Sequence, residues 1–403
     1  MTVPSATRDE ALARLDAALP RLGRAYAAGR NSDPGPDRPP AVSQLSPWIR
    51  RRLVTEEEVV RAARDAHGAA ADRFVIEVIW RGYFKGWLER RPQVWAHYVR
   101  GRDADLARLA DDPALQERLA AAEEGRTGLA CFDAFARELT ATGTLHNHAR
   151  MWFASLWIFT LRLPWRLGAD FFLHHLLDGD AASNTLSWRW VAGLHTRGKF
   201  YAATVANIAQ FSGGRFAPRP EEIVVPAHGL EGEEPEGWPP LLPLRVPAVP
   251  WREAPSLLLI TEEDCGLQGF DRDGFDWRGA VTLAGSHLRS PREVAARVCA
   301  FEADALADAA ARSGLTTVAL AAGDPAALVA AARDAGATQL VTAEVPQGWL
   351  RDWLEAAAPA LAAAGVTLTD WRRPWDAALW PHATAGFFKL RERIPQVLAE
   401  VGV

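Results

Sequence analysis

From the N-terminus to about residue 216, apolar positions recur every three to four residues among Glu, Arg and Ala, with few β-branched runs, which predicts a succession of helices. Thr55 followed by acidic residues and, one helix later, by Gly68 marks a capped start and a glycine stop. Ten prolines between Pro218 and Pro255 break that periodicity and predict a partly extended linker. Beyond it the pattern changes to short apolar runs, "SLLLIT", "AVTLAG", "TVALAAG", "QLVTAEV" and "VTLTDW", alternating with Ala-rich helices that start near Pro291, Asp324 and Gly348. Strands alternating with helices predict a mainly parallel sheet with crossover connections. The fold class is therefore multidomain α and α/β, with a helical unit over 1–217, a linker over 218–254 and an α/β unit over 255–403.

Length supports two cores, since 403 residues exceed one usual domain. A net charge of -5 excludes the overall basic field of a dedicated nucleic-acid binder, so any DNA contact is local. Cys131, Cys265 and Cys299 are too far apart in sequence for a disulfide framework or a thiolate metal cluster. The opening "MTVPSATRDEALARL" lacks a signal-peptide pattern, and the longest apolar run, Met151 to Leu161, is too short to span a bilayer. The expectation is a cytoplasmic protein with no membrane association. The α/β unit has neither G-x-G-x-x-G nor a Walker-type loop, so a nucleotide there has only the carboxyl ends of the strands to bind.

Tryptophan changes the picture, with 17 residues against 4 tyrosines. Between Thr144 and Trp190 stand five tryptophans, four histidines and an acidic turn, a mixture that core packing alone rarely requires. Asn147 with Met151, and Asn184 with Trp188, are four apart and share helix faces, while Trp190 points nearly opposite Trp188. Glu77, Trp80 and Arg81 share another. His174 and His175 diverge by about 100° on a helix and cannot chelate together, so no metal site is expected. "WIRRRL" and "HTRGKF" are candidate phosphate contacts or solvated surface.

The ordered series "SQLSPWI", "EVIWRGYFKGWL", "EEGRTG", "FDAFARELTATGTLHNHARM" and "LLDGDAASNTLSWRW" resembles the flavin-binding helical domain of the photolyase/cryptochrome family, over residues 26 to 216. The resemblance implies a U-shaped FAD. It assigns Ser43, Leu45 and Ser46 to the pyrophosphate, Asp178 and Asp180 to the flavin and ribose with Arg150 as their ion partner, and Tyr26 and Asn147 to the same pocket. Arg30 falls to the flavin or the DNA. Asn184 faces flavin N5 and tunes the reduced cofactor, and Trp188 and Trp165 are the inner and middle electron donors. The usual distal tryptophan is missing, leaving Trp152, Trp157 or Trp87 as an outer end.

On the substrate side the resemblance gives Glu77 the base carbonyls and Trp80 and Trp190 the walls around a flipped lesion. Arg81, Asn147, His148 and Met151 complete that pocket. Thr144 and His148 stand where the family usually has tryptophan and arginine. The α/β passage "DALADAAARSGLTTVALAAGDPAALVAAARDAGATQLVTAE" resembles the family's antenna domain, which normally precedes the helical one, so the order is permuted and an unidentified antenna chromophore is a further expectation. Two functions follow: repair of cyclobutane pyrimidine dimers, with damaged DNA as partner, or blue-light sensing with a signalling protein as partner.

Overall fold

A computed structural model describes residues 3–35, 38–196 and 198–403. The helical unit opens with α1 (Arg8–Ala18), α2 (Arg24–Gly29), α3 (Ser46–Arg50), α4 (Glu56–His67) and α5 (Asp72–Glu89). It continues with α6 (Pro92–Ala110), α7 (Pro113–Glu123), α8 (Ala130–Thr142), α9 (Asn147–Ser155), α10 (Trp165–His175), α11 (Ala181–Val191) and α12 (Val205–Phe211). The Thr55 signal is realised as a capping box with Glu58, and the helix stops at Gly68 with φ of 55°. The run Met151 to Leu161 is the buried end of α9 followed by a wider π turn over Leu156–Thr160. Among the described residues no helix is long and apolar enough to cross a membrane.

The sheet has five parallel strands in the order β3-β2-β1-β4-β5: β1 (Pro255–Thr261), β2 (Asp276–Ala284), β3 (Thr317–Ala321), β4 (Gln339–Ala343) and β5 (Thr367–Trp371). Its helices are α13 (Ala296–Ser313), α14 (Pro325–Asp334) and α15 (Trp349–Ala363). The helix expected near Pro291 starts five residues later, because the backbone of Ala295 is tied to the helical unit by its N–H to the His174 carbonyl. The span 255–403 also contains α16 (Pro374–Leu379), α17 (Phe387–Arg391) and α18 (Ile394–Glu400), and the first two pack back onto α5. Gly82 and Gly86 make that approach possible: a Cβ at Gly82 would lie 2.2 Å from Leu379, and one at Gly86 2.8 Å from the Trp380 Cα.

The linker sequence lies against both units. Leu242 donates its N–H to the Arg90 carbonyl, and Arg245 pairs with Glu344 at 2.8 Å and with Asp370.

The two units meet at a dry, charged seam. Three consecutive arginines, Arg50, Arg51 and Arg52, face three consecutive acids that follow β1: Arg50 to Glu263 at 2.5 Å, Arg51 to Glu262 at 3.4 Å and Arg52 to Asp264 at 3.2 Å. Arg52 also pairs with Asp376 at 2.6 Å, and Arg289 and the Trp349 indole N–H reach Glu262 at 3.1 and 2.8 Å. "WIRRRL" is therefore neither a phosphate contact nor solvated surface, since all three arginines are buried and paired. The seam acids follow β1 directly, so they lie at the carboxyl end of a strand that flanks the switch point between β1 and β4.

Candidate functional site

The segment before α3 is shaped by Gln44, held in the left-handed region at φ of 57°, and by the Leu45 N–H, which donates to the Ser43 hydroxyl at 3.4 Å. This turn delivers Ser46 beside Asp178. Arg150 clamps both Asp178 oxygens at 2.9 and 3.0 Å. Burial pushes the Asp178 carboxyl up, but Arg150, the Ser46 hydroxyl and Arg81 outweigh it and hold the acid below its ordinary range.

Arg150 does not serve Asp180 as expected. Asp180 caps α11 through the Ser183 N–H at 2.7 Å and pairs with Lys85 at 3.5 Å and Arg50 at 3.7 Å, because the turn after Asp178 aims it toward α5 and the seam. Those cations overcome its burial and keep it ionised far below the usual range. Asn184, one turn into α11, is buried with its Nδ2 fixed on the Ala169 carbonyl at 2.8 Å.

Helix α5 connects this acidic turn to the face assigned to substrate. Arg81 reaches the Ser46 carbonyl at 3.5 Å with one nitrogen, while its Nη1 is buried without a hydrogen-bond partner. An orphaned guanidinium N–H beside Ser46 is a donor awaiting an anionic group, so the residues present fit a bound pyrophosphate. One turn earlier Glu77 pairs with Arg30 at 2.7 Å, both about 30% exposed. Burial raises the Glu77 carboxyl pKa against the opposing pull of Arg30 and Arg73. Tyr26 sits edge-on to Phe74 at 5.2 Å, and burial with the nearby Glu77 charge pushes its hydroxyl up.

Trp80 is half-buried, and its ring is stacked on Phe387 of α17 with centroids 3.7 Å apart and planes 10° from parallel. The indole assigned to a flipped base thus already carries an aromatic partner on one face. Asn147 is exposed at the start of α9 and Met151 half-buried one turn on. His148 lies against Trp152 and Phe211, and burial together with the Arg30 charge lowers its pKa. Trp190 is half-buried and stacks on Tyr201 at 5.5 Å.

The candidate donors separate into two groups. Trp188, 1% exposed, meets Trp157 at 6.2 Å and Phe172 at 5.1 Å, both nearly perpendicular. Gly168 lies between the indoles, where a Cβ would be 2.3 Å from Trp188 and 2.8 Å from Trp157. Trp165 instead contacts Tyr98 at 6.0 Å, and the series continues through Trp95 at 5.4 Å to Trp349 of the α/β unit at 6.2 Å. In "HTRGKF", Arg197 lies outside the described residues, and His195 is buried among Trp87, Phe84 and Trp238 rather than facing a phosphate. His174 is engaged with Ser290 at 2.7 Å and Asp170 at 3.1 Å.

Sequence reasoning missed Lys85 and Arg50 as partners of Asp180, and Phe387 as the partner of Trp80. Gly82 and Gly86, four apart on α5, were the available signal that another segment packs closely there.

Residues 74–215 match the family described as the FAD binding domain of DNA photolyase. A deoxyribodipyrimidine photo-lyase of Streptomyces griseus is 34% identical over 257 residues, covering 62% of this chain and 49% of that protein. A chloroplastic/mitochondrial cryptochrome DASH of Ostreococcus tauri is 32% identical over 170 residues, covering 41% and 30%. Among solved structures, a bacterial class III photolyase from Agrobacterium tumefaciens is 27% identical with a TM-score of 0.41, covering 51% of this chain and 43% of that one. The chain spans about half or less of the length of these relatives. Over residues 74–215 the chain is thus similar to the FAD binding domain of DNA photolyase, and these relatives include both photolyases and a cryptochrome.

Proposed function

We propose that the chain is a light-dependent flavoprotein that splits cyclobutane pyrimidine dimers in DNA. The observation that carries this reading is the double use of α5: Arg81 touches the Ser46 segment, with Trp80 next to it in the chain and Glu77 one turn earlier. Bound FAD would supply the excited-state electron, which returns after the two bonds of the cyclobutane open, so the reaction is redox-neutral. Ser43, Leu45, Ser46 and Arg81 would hold the cofactor's phosphates, Asp178, Asp180, Tyr26 and Asn147 its polar groups, and Asn184 the flavin edge. Arg150 keeps Asp178 in place.

Glu77, with its pKa raised by burial, is suited to sharing a proton with a base carbonyl, and Arg30 steadies it. Trp80 and Trp190 would frame the base, with His148 and Met151 beside it. The dry contact between Trp188 and Trp157 supports an electron relay in which Trp157 is the second donor, and Trp165 begins a separate branch. The division into a helical unit to 217, a linker to 254 and an α/β unit beyond is part of the proposal, as is a cytoplasmic setting.

One observation favours the alternative, a blue-light photoreceptor: Phe387 covers one face of Trp80. The deciding experiment illuminates the reduced, FAD-loaded protein with dimer-containing oligonucleotide. Repair expects intact thymines from the unmodified chain and their loss in Glu77→Ala at unchanged FAD content. No thymine recovery from the unmodified chain, with reducible FAD present, would make the chain a photoreceptor instead.

A further inference from the structure

We propose that the C-terminal segment Gly386–Arg393 is a DNA-contacting element, with Phe388 as a wedge that stacks on a displaced base and Lys389, Arg391 and Arg393 as its phosphate contacts. The inference rests on the repair reading and adds a surface to the same site.

Phe388 is 78% exposed, directly after the Phe387 ring that is stacked on Trp80. An aromatic ring held in water at the rim of an aromatic platform contributes nothing to the core, yet its backbone is firmly placed. The Tyr83 hydroxyl donates to the Ala385 carbonyl at 2.8 Å, Arg91 donates to the Thr384 carbonyl at 2.8 Å, and Leu390, between Lys389 and Arg391, and Ile394, after Arg393, are buried. The segment is therefore a fixed mount for an exposed ring.

Charge identifies the occupant. Lys389, Arg391 and Arg393 are all exposed and, among the described residues, none forms an ion pair, while Glu392 is the single acid of the run "FFKLRER". This excess of positive charge stands out in a chain of net charge -5. Arg391 also lines a groove of about 930 Å³ together with Arg61, Arg64, Arg73 and Ile76, the last two just before Glu77 on α5. Asp65 and Asp72 lie in the same groove. Unpaired cations beside an exposed ring match a backbone of phosphates carrying unstacked bases, as in single-stranded or locally opened DNA.

The test measures binding of the full, FAD-loaded chain to a single-stranded thymine oligonucleotide and to a duplex with one dimer, by fluorescence anisotropy at several salt concentrations. Phe388→Ala should weaken binding by about five- to a hundredfold, the range of one base–aromatic stack, and Phe388→Trp should restore it. The triple variant Lys389→Glu, Arg391→Glu, Arg393→Glu should flatten the log–log salt dependence by about 0.9 for each duplex phosphate that these cations neutralise in the unmodified chain. FAD content, unchanged in every variant, reports that the fold is intact. Unaltered affinity and salt slope in both variants, with the unmodified chain binding normally, overturns this proposal and leaves the repair reading standing. Absence of binding by the unmodified chain overturns both. If the variants lose binding to anionic phospholipid vesicles but keep it for DNA, the surface is a lipid contact and the proposal fails.

Discussion

The seam between the two units and the α5 face use the same residue types under opposite conditions. In the seam, Arg50, Arg51 and Arg52 are at most 5% exposed, and carboxylates from the loop after β1 close on each of them. On α5, the Arg30–Glu77 pair is about 30% exposed and Arg81 keeps one buried nitrogen without a partner. Buried charges that each face an opposite charge lock two bodies in register, because any displacement strands an ion in a medium that cannot solvate it. Half-exposed charges are instead within reach of a ligand. The contrast separates the part of the molecule that holds shape from the part available for chemistry.

Breaking the seam should have the largest effect. Arg52→Ala leaves Asp376 and part of Asp264 uncompensated, and chemical denaturation should show a loss of about 3–5 kcal/mol. An unchanged unfolding midpoint would mean that water enters and solvates the acids. Acid comes next. Burial holds His146 and His175 down to about 4 and His195 to about 3, so the folded chain stays unprotonated where the unfolded chain takes up protons. Stability from these groups is complete above about pH 6.5 and is lost as pH falls toward 4. His195→Phe should flatten that part of the pH–stability curve.

A smaller loss is expected from Gly168→Ala, roughly 1–3 kcal/mol, because the new methyl overlaps Trp188 and Trp157. The same variant sharpens the relay question, since photoreduction of the flavin should change along with the indole contact. Trp188→Phe and Trp157→Phe should slow photoreduction at least tenfold, Trp165→Phe less. Equal slowing by Trp165→Phe would make the Tyr98 branch the main route. At the bottom of the scale, Arg30→Ala should cost under about 1 kcal/mol, as exposed pairs do, while lowering dimer repair. A loss on the scale of the seam would show that the α5 face is structural after all.

Much of this was legible in the chain. Helical periodicity to about residue 216, the proline-dense passage and five short apolar runs fixed the two architectures, since helix and strand periods and proline's missing N–H act locally. The four-residue spacings of Asn147 with Met151 and Asn184 with Trp188, and the shared face of Glu77, Trp80 and Arg81, also followed from helix geometry alone.

Partners across the fold did not follow. Arg50–Arg52 are the same guanidiniums whether they face water, phosphate or Glu262–Asp264, and only the docking of β1's loop made them a buried lock. Trp80 carries no sign of Phe387, 307 positions later, and Trp188 no sign of whether Trp157 or Trp165 is its neighbour. Sequence set which side chains share a face because backbone geometry is local. Tertiary structure decided which faces meet, because long-range packing and desolvation determine which charges and rings find partners and which remain free.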